Sequence, residues 1–190
     1  MQAAYSRTVT TIGVLVFLGS VFVVSWTSSL LTALKAARGY SSWKDGILLG
    51  TEGVVLQDKE NNCGPAALKM ILNCYGLKSS MRELERRSKL TAQGSNMLAL
   101  KEAAESFGLH AEGLLLQPKD LPHEPLPAVL FVGGQHFVVL DSLDGEGSLY
   151  IRDPAIGRMK IPNQKLSDIW KGETLVFGGD ALKRSYTDLK

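Results

Sequence analysis

The sequence predicts an α+β fold, with helices first and an antiparallel sheet after them. Three observations point to it. Between residues 63 and 107, three segments space their apolar residues at helical intervals, with capping or turn residues around them. From residue 110 onward the apolar runs become short, and turn residues separate them. Between two of these runs, Asp144-Gly145-Glu146-Gly147 reads as a hairpin turn.

The elements follow in order. Residues 8–34 carry no charge, and Ile12 to Val24 is strongly apolar, with Trp26 behind it. That run exceeds the roughly 20 residues a helix needs to cross a bilayer. Residues 1–36 therefore read as one transmembrane helix that anchors the chain, with residues 11–34 in contact with lipid. The alternative is a cleaved signal peptide ending near Ala36-Ala37; Lys35 and the length of the run favour the anchor. Residues 37–53 read as a linker and a first strand. Ile47-Leu48-Leu49 and Val54-Val55-Leu56 form an expected strand pair leading to Gln57.

The first helix is expected over Cys63 to Tyr75, closed by Gly76. Ser80 caps a second over 81–88, with Glu83 placed for a capping box. Its charges make a solvated face. Ser95 caps a third over 96–107, with Leu98, Ala99, Ala103 and Phe107 facing inward and Gly108 ending it. Strands follow at 110–116, 127–132, 136–140, 148–152, 158–161 and 175–177. A proline-rich connection spans Pro118 to Pro127, and a short helix spans 164–170. Residues 179–190 form a polar tail.

Composition narrows the function. The 190 residues suffice for one ordinary domain and an appendage. A net charge of +2 makes no electrostatic case for nucleic acid, and no stretch mixes basic and aromatic residues as single-strand binders do. No His/Cys cluster has zinc spacing. The two cysteines, Cys63 and Cys74, lie eleven residues apart. On one helix that is roughly 16 Å, whereas a disulfide needs Cα atoms within about 7 Å. They should stay unpaired, with Cys74 as a small core residue.

The chemistry gathers at Cys63. A thiol at a helix start meets free N–H groups and the positive end of the helix dipole, which favour the thiolate. Pro65 suits the first turn, and Gly64 is expected to admit a substrate backbone. A nucleophilic thiol needs a base. Of the three histidines, His136 heads an apolar strand entered through Gly133-Gly134-Gln135. His123 sits in the proline-rich connection and His110 merely opens a strand. Asp153-Pro154 ends the strand after His136, so Asp153 is placed to orient the imidazole. Gln57 can offer its amide to an oxyanion. Singly, each of these residues has an ordinary structural reading; jointly they spell nucleophile, base, orienter and oxyanion donor.

Gln57, Cys63-Gly64-Pro65-Ala66-Ala67-Leu68, Gly134-Gln135-His136-Phe137-Val138-Val139-Leu140 and Asp153-Pro154-Ala155-Ile156-Gly157 resemble the C39 peptidase family in order and spacing. The family comprises papain-like cysteine peptidases that cut leader peptides after a double glycine, often as the first domain of bacteriocin-exporting ABC transporters. The resemblance covers residues 54–178. It implies a papain-like domain with helices packed on an antiparallel sheet, and catalysis by Cys63, His136, Asp153 and Gln57. It also implies a peptide or protein with a Gly-Gly leader as substrate, an ABC transporter as a further partner, and no cofactor. No phosphate-binding Gly-x-x-x-x-Gly-Lys-Ser/Thr loop is present, so the chain is not expected to drive export itself. A single-pass protein of the bacterial inner (cytoplasmic) membrane is expected. Lys35, Arg38 and Lys44 argue for a cytoplasmic domain by the positive-inside rule. The short leading tail argues for a periplasmic or extracytoplasmic one, which is the side taken. The rival function is a C39-like module that docks leader peptides without cutting them; such modules generally lack the cysteine.

Overall fold

The computed structural model describes Trp43 and residues 45–178, all within the compact unit Tyr40–Lys190. The expected anchor and the polar tail lie outside the described residues. The assignment to the bacterial cytoplasmic membrane is corrected: among the described residues no helix is long and apolar enough to cross a membrane.

Among the described residues twelve elements follow one another: β1 (Ile47–Gly50), α1 (Cys63–Cys74), α2 (Met81–Arg87), α3 (Met97–Ser106), β2 (His110–Leu115), a 3-10 turn (Leu121–His123), β3 (Ala128–Val132), β4 (His136–Leu143), β5 (Ser148–Asp153), β6 (Gly157–Pro162), α4 (Asn163–Ile169) and β7 (Trp170–Gly178). Apart from β1 at the start and α4 ahead of β7, the helices come first and the sheet follows, as expected. All strand pairs are antiparallel, in the order β1-β6-β5-β4-β3-β7-β2.

Both faces of the central strands are covered, which is why β3 and β4 read as continuous apolar runs. Along β4 the side chains alternate. Phe137 and Val139 join Leu68, Ile71, Leu100 and Ala103 of the helical layer, while Val138 and Leu140 join Leu130, Ile151, Met159, Trp170 and Trp43 on the other side. The outer strands are thinner. β1 is exposed along its whole length, and β2 buries little more than Ala111.

Several local expectations shift. Val54 to Leu56 is not a strand; β1 pairs with β6 instead, through Ile47 opposite Lys160. Asn96, not Ser95, caps α3, accepting from the Ala99 N–H at 2.8 Å. The inward stripe of α3 is Ala99, Leu100, Ala103 and Ala104, leaving Leu98 exposed. Ser80 does cap α2 through the Glu83 N–H, but the Glu83 carboxylate turns to Arg87, so only half of the capping box forms. β7 is nine residues long, because strands on both sides bind it and override the polar Lys171-Gly172-Glu173-Thr174.

Cys74 is unpaired as expected but exposed, so it is not a core residue. Its sulfur lies 3.4 Å from Nη2 of Arg152. Arg152 is nearly buried and ties three elements together. It donates from Nε to both Asp141 carboxylate oxygens, at 2.8 and 2.9 Å, and from Nη1 to the Gly53 carbonyl. The loop that leads to Gln57 is thereby fastened to β5, one residue from Asp153. Replacing Arg152 by Met strands a partly buried carboxylate and a carbonyl. Urea unfolding should show a loss of about 2–3 kcal/mol, less than for a fully buried pair because Asp141 keeps some solvent.

Candidate active site

Cys63 is the first residue of α1, and the loop before it leaves this helix start without a side-chain cap. Asn62 occupies the capping position but does not cap. Its fully buried side chain accepts from the Lys59 N–H at 3.1 Å and donates to Asp58 at 2.6 Å and Glu85 at 3.0 Å. The residue that could have filled the helix terminus folds its own loop against α2 instead. No side-chain oxygen competes for the positive end of α1.

His136 arrives from the sheet. Gly133 and Gly134 both have φ in the left-handed region, at 60° and 68°, so the chain reverses tightly and sets His136 opposite Val132 at the head of β4. Phe137, next in line, packs on the start of α1. A Cβ on Gly64 would stand 3.3 Å from the Phe137 ring and 3.3 Å from Leu100. The absent side chain of Gly64 therefore serves the packing of α1 on β4 and α3, rather than the approach of a substrate. This contact draws the thiol and the imidazole together.

Asp153 closes β5 and is 1% exposed. It accepts three hydrogen bonds: from His136 Nε2 at 2.8 Å and the Ala155 N–H at 2.7 Å on Oδ1, and from Trp43 Nε1 at 2.7 Å on Oδ2. With Nε2 on the carboxylate, Nδ1 is the nitrogen left for Cys63. Burial pushes the Cys63 thiol up. The hydrogen bond and charge of His136, with the N–H groups of Phe137 and Gly64, outweigh that and hold it below its ordinary value. Burial likewise pushes His136 down, but its bonds to Asp153 and then to Cys63 raise it to about 10. For Asp153, burial is outweighed by His136, Trp43 and the Ala155 N–H, which keep it ionised. The lowered thiol and the raised imidazole both favour a thiolate–imidazolium pair.

Gln57 lies in the loop before α1. Its backbone N–H donates to the Pro154 carbonyl at 2.8 Å, so it is pinned to the turn that carries Asp153. Its side-chain nitrogen donates to the Lys59 carbonyl at 2.9 Å and reaches the Glu60 carbonyl only at 3.5 Å. Those two carbonyls fix which end of the amide is nitrogen. They leave one hydrogen weakly engaged. Gln57 Oε1 is buried without a hydrogen-bond partner among the described residues, as are Ser79 Oγ and Asn163 Oδ1. His110 opens β2, the edge strand farthest from β1, and His123 is exposed on the 3-10 turn. Neither joins Cys63.

Trp43 is the participant that sequence reasoning missed. It falls in the stretch read as a linker, yet it is buried and bonded to Asp153. The available signal was a lone tryptophan four residues before an apolar strand, and an isolated tryptophan does not name its partner.

Residues 51–180 match the Peptidase C39 family. An uncharacterized protein of Methanothermobacter thermautotrophicus is 34% identical over 128 residues, covering 67% of this chain and 89% of its own. The probable functional amyloid protease FapD of Pseudomonas aeruginosa is 30% identical over 142 residues, covering 69% of this chain and 62% of its own. Among solved structures, a double glycine motif protease from an AMS/PCAT transporter, in complex with the leader peptide, superposes with a TM-score of 0.62 at 31% identity, covering 69% of this chain and 97% of that one.

The lowered thiol and the raised imidazole have a readable consequence. Alkylation of Cys63 by iodoacetamide, followed by peptide-resolved mass spectrometry to separate it from Cys74, should have its midpoint below the ordinary thiol range. A second step should appear near pH 10, where His136 gives up its proton. In His136→Ala burial acts almost unopposed, and the midpoint should rise instead.

Proposed function

The chain belongs to the peptidase C39 family, and from that membership we propose that it is a cysteine endopeptidase cutting peptide or protein leaders after a double glycine. The observation that carries this is the unbroken series Cys63–His136–Asp153. A thiol at a helix terminus meets an imidazole whose far nitrogen is held by a buried carboxylate.

The steps follow from the groups in place. The Cys63 thiolate attacks the scissile carbonyl carbon, and the carbonyl π bond moves its electrons onto oxygen. That oxyanion takes hydrogen bonds from the Cys63 N–H and the weakly engaged amide hydrogen of Gln57. The tetrahedral intermediate collapses to a thioester. As the C–N bond breaks, imidazolium His136 gives its proton to the leaving amine. Neutral His136 then takes a proton from water, whose oxygen attacks the thioester carbonyl. Release of the acid returns the sulfur as thiolate and His136 as imidazolium. Asp153 gives up no proton; it holds the ring and stabilises its charge.

The double-glycine preference rests on family membership and on the leader-bound structural relative. That relative is part of a transporter, so an ABC transporter is the proposed partner. In the test, the full chain and its Cys63→Ala variant are each incubated with a synthetic Gly-Gly leader peptide and read by mass spectrometry. Cleavage after Gly-Gly in the first alone is the expected result. Equal binding without cleavage would replace peptidase by docking module. Neither binding nor cleavage would sink the substrate class. Gln57→Ala should lower kcat by about 10²–10³ with little change in KM, as for loss of one oxyanion donor.

A further inference from the structure

Trp43 lies before the matched family region, which begins at residue 51. It nevertheless supplies one of the three donors to Asp153, the only one of the three on Oδ2. A whole piece of chain is arranged to bring it there. The Gly46 N–H donates to the Trp43 carbonyl at 2.8 Å, closing a turn. A Cβ on Gly46 would stand 2.9 Å from Ile161 and 2.9 Å from Met159, so only glycine lets this turn press on β6. β1 then pairs with β6, which pairs in turn with β5 up to Asp153 opposite Gly157. Leu149 and Ile151 of β5 point into the cluster that contains Trp43, and Asp153 shares their parity. The indole therefore meets the carboxylate from beneath the sheet, while Cys63 belongs to the helical layer above it.

A buried indole seeks an acceptor wherever it can find one, and a backbone carbonyl would serve, as Glu173 does for Trp170 at 3.0 Å. Trp43 instead takes the one carboxylate oxygen that neither His136 nor Ala155 binds. Two donors on Oδ1 leave the carboxylate free to rock about its Cα–Cβ and Cβ–Cγ bonds. A third on Oδ2, at 2.7 Å, fixes its plane, and the plane sets the direction of the bond to His136.

We propose that Trp43 is a positioning residue for the active site: the segment ahead of the family domain acts through Asp153 to hold His136 in line with Cys63. The inference rests on the cysteine peptidase reading. Its test is chosen so that the two can fail separately.

The variant is Trp43→Phe in the full chain, which keeps an aromatic ring in the cluster and removes the donor. Ile161→Val, in the same cluster, is the control for lost packing alone. Two readouts are taken: the pH dependence of Cys63 alkylation, which needs no substrate, and kcat and KM on whichever leader peptide the wild type cleaves. In Trp43→Phe the acid midpoint should rise and the step near pH 10 should fall, narrowing the window of the ion pair from both sides. kcat should drop about tenfold or more at unchanged KM, the scale seen when outer partners orienting a histidine are removed. Ile161→Val should unfold more easily in urea yet keep the wild-type profile. A wild-type profile in Trp43→Phe, or the same change in both variants, would overturn the positioning role and leave the peptidase reading intact. A shifted profile in Trp43→Phe, with no leader peptide cut by the wild type, would support the positioning role while the substrate class fell.

Discussion

Asp153 places a negative charge where almost no water reaches it. Such a charge is costly unless donors replace the lost solvent. Here three do so, and each comes from a different stretch of chain: His136 from β4, Ala155 from the following turn, and Trp43 from before β1. Satisfying this one carboxylate fixes the relative placement of all three. It also reaches the thiol, because the imidazole that donates to it is the group whose hydrogen bond and charge lower the Cys63 pKa. The same electrostatic demand orders the local fold and bears on the acidity of the Cys63 thiol.

The thiol comes from a different layer, and packing rather than charge brings it in. Gly64 lets α1 settle on Phe137 and Leu100 with no intervening side chain. The turn of Gly133 and Gly134 delivers Phe137, and with it His136. On the far side, Arg152 and the Gln57 N–H fasten the incoming loop to the end of β5. The site thus forms at the rim of the sheet, where a helix start, a strand head and a strand end meet, each held by neighbours that do no chemistry.

Much of this was legible in the sequence where chemistry and periodicity act over short distances. The helix start at Cys63, the strand head at His136 and the strand end at Asp153 each carry local signals in turn residues and apolar runs. Their order along the chain adds the family resemblance. What stayed hidden depends on partners far away in sequence. The polar half of β7 becomes strand only because β2 and β3 flank it. Cys74 ends α1 on an exposed face, with its sulfur against Arg152 of β5. Leu98 and Leu100 are interchangeable in a helical pattern until the packing of α3 on β2 and α1 decides which of them faces inward. Trp43 gave no cue that its acceptor would be a carboxylate 110 positions on.

The strand that carries Trp43 into place is the least protected of the sheet. β1 is four residues long, exposed throughout, and bonded on one side only, to β6. Edge segments of this kind open at a lower free energy than the core they border. If the indole leaves with its strand, Asp153 loses a donor while α1, β4 and β5 are still folded. Working temperature and melting temperature then become separate quantities. Under the proposed peptidase reading, activity would fall, reversibly, through the fraying of one edge, before cooperative unfolding of the domain begins.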